Sequence, residues 1–216
     1  MSSTSSVEHV VLLNVKDGTD PSDVAAMLDV LNSLRSLDMV KYLTVGPIHR
    51  TQSISLKFTH MLYSKFLSKD DLAAYTASPA HADVAVPIVM RVCDDIMAID
   101  WVADISVGPG PKPGSAIRVQ FVRLKEGLGE REKGEVLEVI GGLKVKVSGI
   151  EEFNFGENFS PDYAKGFSVA WMEVFPGVSE LDSAKESIEI VKENDKVRDY
   201  VESFLLVDYV VPSVQS

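Results

Sequence analysis

The sequence predicts an α+β protein built from two tandem βαββαβ units. Three observations lead there: a proline- and glycine-rich segment near the middle, text on either side of it that repeats, and an alternation of strand and helix patterns in the first half. Residues 103–115, "ADISVGPGPKPGS", can neither continue a helix nor pair inside a central strand, so they read as a linker between domains at 7–102 and 116–211. Across it, "VEHVVLLNVKDG" (7–18) resembles "AIRVQFVRLKEG" (116–127), "YLTVG" (42–46) resembles "EFNFG" (152–156), and "MAIDWV" (97–102) resembles "LLVDYV" (205–210). The step between matching positions stays near 108 to 110 residues. A period that long marks a domain duplication, since solenoid units run to about 20–50 residues.

Each element of the first half has its own signal. Residues 7–15 are β-branched and apolar, a strand. From Pro21 to Leu37, Val24, Met27, Leu28, Leu31 and Leu34 fall at helical spacing, with Asp20 as N-cap and proline at the first helical position. Residues 40–48 and 54–65 are the next two strands. Ser68, with Asp71 three residues on, makes a capping box for a short helix through Tyr75. Ser78 and Pro79 then open a helix running towards Arg91, kinked at Pro87, and 96–102 is the closing strand. Strand, helix, strand, strand, helix, strand is the ferredoxin-like split βαβ order, with strands arranged 4-1-3-2. Its helices cover one sheet face. The bare faces of two such units bury each other, giving an intramolecular dimeric α/β barrel with helices outside.

Composition sets limits on partners. At 216 residues, with 45% hydrophobic and 25% charged residues, the chain has an ordinary globular makeup. A formal net charge of -11 repels phosphate backbones and anionic membrane surfaces, and no apolar run approaches the roughly 20 residues that span a bilayer. Neither nucleic acid nor membrane is an expected partner; a small-molecule ligand is, with a homo-oligomer of whole chains left open beside the intramolecular pseudo-dimer. Cys93 is the single cysteine, which rules out an internal disulfide and a cysteine zinc site and suits a reducing compartment. The Ser-rich start lacks an apolar signal core, so the expected location is intracellular and cytoplasmic, with plastid or peroxisome the alternatives should a targeting segment have been trimmed. Gly108, Gly110 and Gly114 do not make a phosphate loop, because the interleaved prolines remove N–H donors. Asn158-Phe159-Ser160 matches a glycosylation acceptor only formally.

The segments "EHVVLLNVKDG", "FTHMLYSKF", "AYTASPAH" and "MAIDWV" resemble the plant stress-responsive dimeric α/β-barrel (Dabb) family in a tandem form. The first half is further similar to the family's polyketide-cyclising type, olivetolic acid cyclase. That resemblance implies catalytic roles for His60, Tyr75 and His81, and binding roles for His9 and Asp100. It also implies no redox cofactor, with magnesium on main-chain carbonyls after the first helix as the metal some members take. One departure is Ser78, where the family's "HPAH" begins with histidine. In the second half His9 faces Arg118, His60 faces Val169, and the Tyr75–His81 region becomes "SAKESIEIVKEN", so the site is expected in the first half alone, inside the barrel pocket.

His81 near a helix start is disfavoured as imidazolium, which leaves it able to accept a proton. Each residue also has a plain structural reading. His9 and His60 lie on apolar strands, where histidines are commonly hydrogen-bonded core residues. Tyr75 could anchor a helix end, Asp100 could orient a histidine, Cys93 packs in the second helix, and His49 is a loop residue. The acidic tract at 179–203 reads as a solvated helical face. Two functions follow: a stress-response protein binding a small hydrophobic metabolite, or a cofactor-independent cyclase or lyase using His81 as general base. A haem reading would need an axial histidine such as His60 in an open pocket.

Overall fold

In a computed structural model the described residues are 5–53, 56–105 and 108–213. The first half contains β1 (Ser6–Val15), α1 (Pro21–Ser33), β2 (Tyr42–Gln52), β3 (His60–Phe66), α2 (Lys69–Ala77), α3 (Val86–Val92) and β4 (Cys93–Ala103). The second contains β5 (Ala116–Leu124), α4 (Glu130–Gly141), β6 (Glu152–Glu157), β7 (Val169–Phe175), α5 (Val178–Ser183), α6 (Ser187–Lys192) and β8 (Val201–Val210).

The eight strands form one sheet in the order β4-β1-β3-β2-β8-β5-β7-β6. Each half is therefore a 4-1-3-2 sheet. The halves join where β2 pairs antiparallel with β8, and the circle closes at the other seam through a bridge between Trp101 and Asn158. Strand alternation puts Val10, Leu12, Met61, Tyr63, Met97 and Ile99 inside with Val119, Phe121, Met172 and Val207 from the second half. Val7, Leu13, Leu62 and Phe66 point the other way, onto the helices.

The helix starts carry side-chain caps at the predicted residues, the capping box at Ser68 through its serine half. The Asp20 carboxylate accepts the Ser22 N–H at 2.8 Å, and the Ser68 hydroxyl accepts the Asp71 N–H at 3.1 Å. Helix α1 buries Met27 and Leu31 against the sheet, at roughly 1.5–3 kcal/mol per side chain.

Four sequence expectations need correction. The strand expected at 54–65 begins only at His60; Ile54 and Ser55 lie outside the described residues, and Phe58 packs in the barrel interior while Leu62 faces the helices. Leu56, Phe58, His60 and Leu62 therefore do not share one strand face. The helix expected from Pro79 to Arg91 is a π-helical stretch at Ala80–Ala85 followed by α3, with the Val86 N–H reaching back to the His81 carbonyl. Pro87 explains this, since it has no N–H and its ring would crowd a regular preceding turn. His49 sits in β2 at a register shift between Ile48 and Arg50, not in a loop. Cys93 opens β4, its sulfur 3.7 Å from that of Met27, and burial pushes its thiol up to about 11. In the linker, Ser106 and Val107 lie outside the described residues, and Tyr42 donates a hydrogen bond to the Pro111 carbonyl at 2.9 Å.

Two stability tests follow. A Cβ on Gly156 would lie 2.8 Å from the Val102 carbonyl oxygen and 3.0 Å from the Trp101 ring, so Gly156→Ala should force the β4–β6 seam apart and cost about 1–3 kcal/mol in urea unfolding. Glu173 is buried with neither carboxyl oxygen hydrogen-bonded, and burial pushes its carboxyl up to about 7 against the pull of Ser187, Arg118 and Gln120. The folded state thus holds this proton more tightly than the unfolded chain. Its contribution is complete below about pH 4.5 and is lost as pH rises through about 7, a change on the order of 3 kcal/mol. Glu173→Gln should remove that slope, raising stability at pH 8 far more than at pH 5.

Candidate functional site

Three rows of side chains run across the outer face of the first sheet, under the helices. Register places Asp100, His9 and Ser64 in the first row, Ala98, Val11 and Leu62 in the second, and Ile96, Leu13 and His60 in the third. Above them lies a cavity of about 560 Å³. Its floor is His9, Val11, Leu13, Leu62, Ile96, Ala98 and Asp100, and its helical side is Leu31, Tyr75, Thr76, His81, Ala85, Val86, Val89 and Met90. The last wall, Phe159 to Tyr163, comes from the second half. The expected pocket inside the barrel is corrected by this placement: the interior is packed with apolar side chains around a polar group of Glu8, Tyr63, Lys65 and Glu152, and the hollow lies between sheet and helices.

One end of the cavity is polar. His9 Nδ1 lies 2.5 Å from Asp100 Oδ1. Burial alone would raise the Asp100 carboxyl, but attraction to His9, the His9 hydrogen bond and the Ser160 hydroxyl hold it below the usual aspartate range. An ionised carboxylate only accepts, so His9 carries its proton on Nδ1. The Tyr75 ring stands 6.0 Å from His9 and 4.7 Å from His81, centroid to centroid. Burial pushes its phenol well above the ordinary value, which keeps the hydroxyl a donor at neutral pH.

His81 is set by local backbone. Its N–H bonds the Ser78 carbonyl at 3.0 Å, and its Nδ1 lies 3.1 Å from the Thr76 carbonyl oxygen. A carbonyl cannot donate, so Nδ1 bears the hydrogen and Nε2 keeps a free lone pair. Burial lowers the imidazole below the usual histidine range, the Thr76 carbonyl drawing it part of the way back and His9 pushing it down again. Ser78, the departure from the "HPAH" pattern, bonds the Tyr75 carbonyl through its hydroxyl at 2.7 Å and so ties the end of α2 to the turn carrying His81.

The structure thus brings His9, Tyr75, His81 and Asp100 to one cavity. His60 is not among the lining residues. It is half-buried at the end of the third row, with Nδ1 2.9 Å from the Thr59 hydroxyl, and burial lowers its pKa. His60, the histidine named for an axial role, is thus outside that lining. After α1 the Leu34, Leu37 and Asp38 main-chain carbonyls each accept one hydrogen bond, from the Leu37 N–H, the Val40 N–H and the Lys41 ammonium.

Sequence reasoning did not locate the segment of the second half that walls the cavity. The Asp100 N–H donates to Asn158 Oδ1 at 3.2 Å and the Asp100 carbonyl accepts the Phe159 N–H at 3.0 Å, which seats the 159–163 segment over the first sheet. Asn158 in the formal glycosylation triplet is a seam residue. The second half fills its own corresponding space. Its first row is Asp208, Arg118 and Glu173, with Arg118 Nε 2.8 Å from Asp208 Oδ1, and its second is Leu206, Gln120 and Trp171. Bulk and a buried ion pair stand where the first half has alanine, valine and a hollow.

The chain matches the stress responsive A/B barrel domain over residues 7–103 and again over 117–211. It is 44% identical over 209 residues to a stress-response A/B barrel domain-containing protein of Arabidopsis thaliana, covering 96% of this chain and 79% of that one. It is 37% identical over 213 residues to a second protein of that description from the same plant, covering 97% and 99%. Among solved structures, an anthrone oxidase-like protein superposes with a TM-score of 0.62 at 11% identity, covering 99% of this chain and 94% of the other. A Fusobacterium nucleatum protein provisionally called a monooxygenase gives 0.63 at 14% identity, covering 96% and 93%. These two likenesses concern the fold alone. With the domain found twice over most of its length, the chain belongs to the stress-responsive A/B barrel (Dabb) family, in tandem form.

Proposed function

We propose that this stress-response barrel protein binds a small, largely apolar metabolite in the first-half cavity. The supporting observation is a hollow of ligand size whose walls are apolar except for a few polar groups gathered at one end. Binding sites for small molecules have this makeup, with volumes of roughly 300–1,000 Å³. Burial of the ligand's apolar surface supplies the affinity, and His9, Tyr75 and His81 fix its orientation.

A second reading, proton-transfer catalysis of the cyclase or lyase type, draws on the tautomer of His81. With Nδ1–H held by Thr76, Nε2 can take a proton from a carbon acid while the Tyr75 hydroxyl donates to the carbonyl oxygen that gains charge. His9 and Asp100 hold the polar end in place, and the reading asks nothing of His60.

Each reading has its own measurement. For binding, a saturating apolar ligand at about 100 times its Kd should raise the melting temperature by about 5–10 °C, and Ala98→Trp, which fills the floor, should abolish the shift. A metabolite panel that leaves melting unmoved would dispose of the binding reading. For catalysis, β-keto-type substrates should turn over with His81→Ala lowering kcat by roughly 10²–10⁴-fold. Since the base must be neutral and burial lowers its pKa, activity should hold down to a pH below the ordinary histidine range and fall only beneath it. An unchanged rate in His81→Ala would remove the catalytic reading.

A further inference from the structure

Resting on the binding reading, we infer that the cavity selects neutral single-chain amphiphiles, a medium-length alkyl tail with an uncharged ketone, ester or alcohol head, over fatty carboxylates and alkylamines. The three rows give the cavity a direction. Asp100 and His9 stand at one end, and Ile96 and Leu13 stand four strand residues further on, roughly 13 Å away. The polar lid matches the polar floor, because Tyr75 packs against both His9 and His81. At the far end the last turn of α3 lies beside the end of β1: the Lys16 N–H bonds the Val92 carbonyl at 3.1 Å, and its ammonium bonds the Arg91 carbonyl at 2.7 Å. Between the ends, Ala98 is the smallest floor residue and leaves a channel. A saturated chain of roughly eight to ten carbons spans that length.

The head is constrained by charge. Among the described residues no lysine or arginine lines the cavity; its charged groups besides histidine are Asp100 and Asp162. Lys69 stacks 4.0 Å from the Phe159 ring centroid but is not a lining residue. A carboxylate head would be desolvated beside Asp100 with no cation to meet it. An ammonium head gains little, because His9 and Ser160 already engage Asp100 and Asp162 is exposed. A neutral oxygen suits both groups left free: it accepts from the Tyr75 hydroxyl, and an alcohol also donates to His81 Nε2.

Calorimetric titration of the whole chain at pH 8 with 2-alkanones of increasing length, and with carboxylates, their methyl esters and alkylamines of matched length, tests this. Ketone and ester affinity should climb about fourfold per methylene and level off at roughly ten carbons. The carboxylate should bind at least tenfold more weakly than its own methyl ester, and the amine no tighter than the ketone. Asp162→Lys, a change at an exposed lining residue, should narrow the carboxylate–ester gap severalfold. Carboxylates or amines binding as tightly as the esters would overturn the head-group inference and leave the binding reading intact. Affinity still climbing at fourteen carbons would overturn the length limit. Silence from every series would take down both.

Discussion

The fold depends on one constraint: each four-stranded sheet has two apolar faces and helices enough for one. The uncovered face must be buried, and the partner sheet with the same need lies at the other end of the linker. Val10, Leu12 and Ile99 meet Val119, Met172 and Val207 in the shared interior. Everything else follows from which way each strand residue points. An odd-numbered β1 residue such as His9 faces helices because its neighbours Glu8 and Val10 face inward, so a hollow near His9 has to lie under the helical cover. On the other face the barrel interior is packed.

The two seams settle which half keeps a hollow. At the β2–β8 seam the strand runs on to Gln52, and Arg50 reaches across to Asp208, its Nε 2.8 Å from Oδ2. At the β4–β6 seam β6 stops at Glu157, and the chain turns outward at Asn158 to lie over Asp100. The aspartates correspond in the repeat, and each takes a contact from the opposite half. One receives a guanidinium within a filled space. The other receives a serine hydroxyl and a loop that roofs a cavity.

Much of this was legible in the sequence. The repeat step carried the register faithfully, since His9 pairs with Ser64 and Asp100 as Arg118 pairs with Glu173 and Asp208. Caps at Asp20 and Ser68 were readable because they depend on local chemistry. The strand before His60 was misread because alternation over 56–62 mimics a strand where the chain turns between inside and outside. The π-helical stretch was hidden because Pro87 signals a disturbance without saying how the backbone will absorb it. The wall from 159–163 left no periodic trace: it depends on contacts across the seam, made between residues far apart in the chain. His60 had the right strand and the right face, and shares the third row with Leu13 and Ile96, but it stands at the β3 end of that row, outside the lining.

The covalent joining of the halves has a bearing on how such a molecule can change. In a symmetric pair of identical chains every substitution appears twice, so shortening one β2 would shorten both and a filled site could not stand beside an open one. Here β2 has eleven residues and β6 has six. Fusion has freed the two copies to diverge, one filled around a buried ion pair and one left with a cavity.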